Sequence, residues 1–325
     1  MMTLIKLLFI SVLTLFCYVM IGFILRKTKL VNEGFAKNFS VYVLYVAQVA
    51  LLLHGFIIPF DKMVLKNLLI LLFFAVAAHI AFYFLAINLY KKAPDATKQV
   101  LRFATIFSNA GYMGIPVISD VFGEEYVIYA TFYCVAFNVF AFSLGRLIYT
   151  GDAKYIKLKN LIINPAVIPI SIGFILYCTG ATTAIVDSMS RSDFLGQTFS
   201  FLYNILTVLK NTVAPASMII IGVKLAETSF KGLHRDKNVY LFLILRLFLL
   251  ATLLWIPLRV LYAFSLITYE VMAILVILAS TPSAALTTMF AELYDKDSKY
   301  AGKLVALSTV LSVLTMPLVA LLLKI

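Results

Sequence analysis

Two prolines with small or hydroxyl neighbours interrupt apolar runs of this chain. One is Gly114-Ile115-Pro116 in FSNAGYMGIPV, the other Thr281-Pro282-Ser283 in ILASTPSAALTTMF. A proline inside a helix removes a backbone hydrogen bond and clashes with the carbonyl one turn earlier, so each run should open there. Opened backbone at membrane depth persists only where it is packed in protein or lines a wet cavity. The half-helix that starts at such a break turns its free N–H groups and positive dipole end inward; the half that ends there presents bare carbonyls. The chemistry this predicts is capture of a carboxylate at the half-helix starts after Pro116 and Pro282. Asn109, ahead of the first break, supplies donors and an acceptor, and Ser280, Thr281 and Ser283 play the matching part in the second. The candidate substrate contacts are therefore Asn109, Gly114, Ile115, Pro116, Ser280, Thr281, Pro282 and Ser283. Gly111, Pro116, Pro215 and Pro282 are the expected hinge points. For either proline alone, a simple kink is the competing reading.

Lys210 and Asn211 join the candidate set. Lys210 stands in ILTVLKNTVAPAS, a turn before Pro215. A lysine at the bilayer centre costs roughly 2.5–3.5 kcal/mol on insertion scales, so it is either functional there or snorkels to the headgroups. Arg246 and Arg259 are expected to anchor their helix at the two membrane faces, Arg246 at the cytoplasmic one. His79 is a candidate proton relay, with hydrogen-bonded packing as the plainer alternative; His54 lies closer to a helix end. Gln48, Asn138 and Asn164-Pro165 read as polar contacts between helices first and as ligand contacts second.

The elements that must hold these groups are membrane-spanning. The chain is 63% hydrophobic and 13% charged, against roughly 25% charge in soluble domains. About ten runs reach the roughly 20 residues that one crossing needs: 3–25, 38–57, 66–90, 97–119, 124–148, 160–180, 198–226, 238–264, 268–291 and 300–323. The first is too long for a signal-peptide core and leads straight into another span. The net charge of +12 does not form a nucleic-acid patch. Its lysines and arginines fall in alternate loops: Arg26 to Lys37, Lys91 to Lys98, Arg146 with Lys154, Lys157 and Lys159, Lys231 to Lys237, and Lys296 to Lys303. The loops between them are nearly bare, 181–197 carrying only Arg191. The positive-inside rule then puts the rich loops in the cytoplasm and both termini outside, in a multi-pass plasma-membrane protein.

Absences narrow the chemistry. The acidic residues Asp120, Glu124, Glu125, Glu270 and Glu292 fall near span ends, which disfavours a cation as substrate. Cys17, Cys134 and Cys178 lie inside spans without disulfide or zinc spacing. With no HExxH, GxSxG or phosphate loop, the chain reads as a non-enzyme without cofactor or metal; a coupling Na⁺ or H⁺ is left open.

The runs repeat a grammar. Span four carries its break, then an acidic turn at Glu124-Glu125, then an apolar span; span nine carries its break, then Asp295-Lys296-Asp297, then an apolar span. Five spans per half place the second half upside down, as an inverted repeat with its site between the halves. The expected division is 1–149 and 150–325.

The segments SNAGYMGIP, APASMIIIGVKLA, STPSAALTTMFAELYDKD and STVLSVLTMP resemble the auxin efflux carrier family, over essentially the whole chain, in its compact bacterial malate- or malonate-permease-like form. The resemblance implies an all-α membrane fold of ten helices in two inverted five-helix repeats, with broken helices 4 and 9 crossing near the midplane. It also implies a scaffold part (helices 1, 2, 6 and 7), a transport part (helices 3–5 and 8–10), and a homodimer through the scaffold. Val49 stands where many relatives have proline, which puts a hinge in helix 2 in doubt. The expected function is secondary transport of a small organic anion, a mono- or dicarboxylate with an auxin-like acid among the options, by alternating access. A sodium-coupled symporter of related fold and a non-transporting membrane sensor are the competitors.

Overall fold

The computed structural model describes residues 2–152, 166–230 and 232–324. Lys154, Lys157, Lys159, Asn164-Pro165 and Lys231 lie outside the described residues. Within them every regular element is helical, apart from one isolated extended bridge between Ser108 and Ser283.

The first half contains α1 (Met2–Lys27), α2 (Phe35–His54), α3 (Lys62–Ile87), α4 (Asp95–Ile106), α5 (Ala110–Phe122) and α6 (Glu124–Thr150). The second contains α7 (Val167–Cys178), α8 (Ala181–Met189), α9 (Phe194–Glu227), α10 (Lys237–Ala263), α11 (Tyr269–Ser280), α12 (Leu286–Leu293) and α13 (Ser298–Lys324). Seven of these, α1, α2, α3, α6, α9, α10 and α13, are long and apolar enough to cross a membrane unbroken. Runs four and nine fail that length test because each is divided into two short helices, α4 with α5 and α11 with α12. Run six ends at Cys178, close to its expected limit, and α7 and α8 are bent by 83° there. Gly180 makes that corner at φ +76°, a left-handed conformation that suits glycine. Segment 181–197, expected as a bare loop, therefore begins with a helix, because ATTAIVDSM has a short amphipathic pattern that a span-length search passes over.

Side-chain caps set several helix starts. Asp61 accepts from the Met63 and Val64 N–H groups at 2.6 and 3.1 Å, Asp193 from Gly196 at 2.8 Å and Asp297 from Tyr300 at 2.8 Å. Each satisfies first-turn donors that have no intrahelical acceptor.

Outer helices bury one face and leave the other apolar and uncovered, as Ile24, Phe73 and Ile256 show; lipid is the solvent for such a face. By contrast, every residue of α11 from Val271 to Ser280 is buried, so this helix is enclosed by protein on all sides. α1 and the second half of α9 pack backbone to backbone. A Cβ added at Gly22 would sit 2.1 Å from the Ile219 carbonyl oxygen, and one at Gly222 only 1.9 Å from that of Val19. Small residues permit this approach where apolar burial supplies no drive between helices.

A paired chain break between two cavities

The second break is where the sequence places it. α11 stops at Ser280, and Thr281 is extended at φ −61°, ψ 152°, because the residue before a proline is pushed out of the helical region. The first break is not at Gly114-Ile115-Pro116. α4 ends at Ile106, Phe107 is extended at φ −95°, ψ 111°, and α5 starts at Ala110. Pro116 lies inside α5, directly after a widened π-type turn over Ala110–Gly114. That turn and the position of Pro116 in the first turn of regular helix remove the need for its missing N–H. Gly114 packs instead, since a Cβ there would meet Leu278 at 2.5 Å.

What holds the first break open is the second. The Asn109 N–H donates to the Pro282 carbonyl at 2.7 Å, and the Ala284 N–H donates to that of Phe107 at 2.9 Å. These bonds make Ser108 and Ser283 an antiparallel pair. Proline fits this bridge because its carbonyl is used and no N–H is asked of it. Ser283 donates its own N–H to Ser308 Oγ at 3.2 Å. The hydroxyls expected to meet substrate are engaged locally: Ser280 bonds the Ile277 carbonyl at 2.8 Å, Thr281 that of Leu278 at 2.9 Å, and Ser283 the Thr287 hydroxyl at 3.0 Å.

The helix starts at the two breaks face one small cavity of about 40 Å³, lined by Gln48, Asn109, Gly111, Tyr112, Asn138, Ala284, Ala285 and Leu286 among others. Asn109 is 3% exposed and its Nδ2 has no hydrogen-bond partner. Tyr112 donates to Gln48 Oε1 at 3.1 Å. Tyr112, Phe142, Leu286 and Met289 also line a wider cavity of about 670 Å³ that carries Lys37, Arg146 and Lys224. Sequence reasoning missed Tyr112 as a lining residue and ranked Gln48 and Asn138 as helix contacts first and ligand contacts second; both line the smaller cavity.

A separate cavity of about 290 Å³ takes Ile115, Pro116, Lys210, Asn211 and Pro215, along with Asp120 and Glu124. Lys210 is buried and ion-paired to Glu124, which also accepts from Ser119 Oγ at 2.7 Å. The lysine is thus neither isolated at mid-membrane nor reaching for headgroups. α9 is offset at Thr212, three residues before Pro215, since Pro215 cannot donate to the Asn211 carbonyl. This cavity and the one with Lys37 and Arg146 adjoin successive stretches of α9, Lys210–Pro215 and Ser217–Lys224.

Arg246 is not at a membrane face. It is fully buried and donates through Nη1 to the Thr105 and Ile106 carbonyls at 2.9 and 3.0 Å, and through Nη2 to that of Ala279. Counting from Lys237, Arg246 lies about 14 Å along α10 at about 1.5 Å per residue, roughly halfway through a hydrocarbon core. That count was available in the sequence. His79 donates its Nδ1–H to the Ala75 carbonyl at 2.7 Å. Phe107, Tyr133, Phe137 and Phe140 surround its ring, and Nε2 has no partner.

A family model described as "Membrane transport protein" matches residues 7–320. The chain belongs to this membrane transport family. The resemblance carried by SNAGYMGIP and STPSAALTTMF is thereby established at family level. The chain is also similar to an uncharacterized transporter of Methanothermobacter thermautotrophicus, 26% identical over 317 residues, covering 95% of this chain and 96% of the relative. Membership makes the chain a multi-pass membrane transporter.

Proposed function

We propose that this transporter is a secondary carrier for a small organic anion, a mono- or dicarboxylate, that works by alternating access. The observation that carries the reading is the convergence of the α5 and α12 starts, with the unpartnered Nδ2 of Asn109, on one cavity. Each helix start bears about half a positive charge, and a buried amide donor without an acceptor is a place where an oxyanion gains a bond. The carboxylate sits at Asn109 and the adjoining backbone N–H groups, with the apolar remainder toward Leu44, Phe142 and Met289.

The bridged breaks form the crossover, near the midplane, of two inverted five-helix repeats, 1–149 and 150–325. α1, α2, α7 and α9 serve as scaffold, and the helices carrying the breaks move against them. The cavity with Lys37, Arg146 and Lys224 opens to the cytoplasm, and the Lys210–Glu124 side faces outward, with both termini outside the plasma membrane. An anion leaving a cell with a negative interior gains about 2.3 kcal/mol per charge per 100 mV, which makes potential-driven export favourable.

Purified protein in liposomes, loaded with labelled malate, malonate or an aromatic acetate under imposed voltage, tests the reading. Saturable, voltage-sensitive flux of at least one carboxylate is expected. Failure of every carboxylate to exchange, with correctly inserted protein, rejects it.

A further inference from the structure

Carriers with broken helices hold a co-transported cation at unwound carbonyls and half-helix C-terminal ends, while the N-terminal ends face the anionic group. In this molecule the C-terminal ends are already occupied by a side chain. The three carbonyls that Arg246 meets belong to the last turns of α4 and α11, which lack intrahelical donors. Two helix C-termini together present about one negative charge, and a single guanidinium matches it. No ion pair of the described residues includes Arg246, so its counter-charge is the backbone itself. A buried arginine is held this way because its fork of donors reaches several carbonyls at once and it stays protonated. Arg246 also lies in a widened turn of α10, Leu245–Leu249, the kind of local distortion that gathers at functional positions.

We propose that Arg246 is a built-in counter-cation: its guanidinium fills the seat at the α4 and α11 ends that a coupling alkali cation would otherwise take. Transport then proceeds without obligatory Na⁺ or K⁺, and each cycle moves the net negative charge of the substrate. This deepens the carrier reading above and rests on it. Emptying the seat exposes the Thr105, Ile106 and Ala279 carbonyls to a metal ion. Arg246→Ala should therefore acquire the cation dependence that the native chain lacks, an outcome that loss of a merely structural arginine does not give.

Two measurements test it. Melting of the purified full-length chain is followed by the fluorescence of Trp255, the one tryptophan of the sequence, in sodium, potassium and choline chloride at equal ionic strength. The native chain should melt at one temperature in all three. Arg246→Ala should melt lower in choline and regain several degrees with Na⁺ in a saturable way; Arg246→Lys should be indifferent to the cation. In liposomes, native flux should be the same in the three salts. Arg246→Ala flux should fall at least about tenfold in choline, equivalent to 1.4 kcal/mol, and recover partly in Na⁺. Saturable stabilisation of the native chain by Na⁺, native flux that stops in choline, or a folded Arg246→Ala indifferent to every alkali cation would each overturn the assignment. If Arg246→Ala does not fold, the native melting series decides: no response supports the filled seat, and a saturable Na⁺ response rejects it. The expected melting pattern without flux of any carboxylate would reject the carrier reading and leave the filled seat standing.

Discussion

Asn109 donates its backbone N–H to the carbonyl oxygen of Pro282 at 2.7 Å, so two interruptions from opposite halves of the chain close on each other through main-chain atoms. The Asn109 side chain takes no part in that bond and its Nδ2 is unpartnered. Main chain and side chain can therefore be separated by mutation. Asn109→Ala should leave the bridge and the melting temperature intact. Carboxylate flux should fall at least about tenfold, since a hydrogen bond to a charged group is worth about 1.5–3 kcal/mol. Asn109→Asp, equal in size but negative, should abolish flux. Liposome flux measured beside a melting curve checks this, and unchanged flux in Asn109→Ala would remove the residue from the site.

The two prolines should behave differently. Pro282 forces Thr281 out of the helix, so Pro282→Ala lets α11 extend toward α12 and compete with the Ser108–Ser283 pairing. Turnover should drop several-fold with binding less affected. Pro116 sits in the first regular turn of α5 after a π-type turn, where proline costs little. Pro116→Ala should leave turnover close to native. Single-turnover and steady-state flux of both variants separate these outcomes; equal losses would mean that the first break depends on Pro116 after all.

That contrast shows where the sequence could be read and where it could not. The second break is encoded locally, because a proline acts on its own neighbour. The first is encoded non-locally: Phe107–Asn109 contains no proline, and its extended shape is held by the partner segment. Pro116 was a signal for the right helix and the wrong turn. Arg246 was legible in principle, because counting along α10 puts it at mid-depth; its three carbonyl partners lie on other helices and are set by packing alone. The partner of Lys210 was not legible: Glu124 is 86 residues away in sequence, and only packing joins them. The helical, membrane-spanning class follows from composition alone, and the prolines announce that runs four and nine divide; where run four divides is set by its packing against run nine.

The close packing of α1 on α9 gives a prediction about stability. Adding a methyl group at Gly222 places it 1.9 Å from the Val19 carbonyl oxygen, and at Gly22 it meets that of Ile219 at 2.1 Å. Backbone cannot yield as a flexible side chain does, so Gly22→Ala and Gly222→Ala should each destabilise by about 1–3 kcal/mol. Gly302→Ala, which meets only side-chain atoms at 3.5 Å or beyond, serves as the control. Melting in detergent compares the three, and a native-like Gly222→Ala would show that α1 and α9 do not approach as described.

The proposed sidedness can be tested at the cavities. In a background with Cys17, Cys134 and Cys178 replaced, a cysteine at Ser40 or Met289 lines the cavity with Lys37, Arg146 and Lys224. A cysteine at Asn211 lines the one with Asp120 and Glu124. A membrane-impermeant thiol reagent should label the first two only from the cytoplasmic side and the third only from outside. The reverse pattern would invert the orientation while leaving the fold untouched.

Lys210 and Glu124 tie α9 to the start of α6, and the pair lines one cavity with Pro116 and Asn211. The lysine is buried while the carboxylate is 59% exposed, so the two partners are not equivalent. Removing Glu124 leaves a buried ammonium without its counter-charge, a strongly destabilising change for enclosed pairs. Removing Lys210 leaves a carboxylate that water can solvate. Glu124→Gln should therefore lower the melting temperature more than Lys210→Met, and the double variant should recover much of what Glu124→Gln loses. A double-mutant cycle on melting and on flux measures the coupling, expected at about 0.5–3 kcal/mol for groups in direct contact. Additive losses would show that the two charges do not interact, and that this cavity wall is held by packing alone.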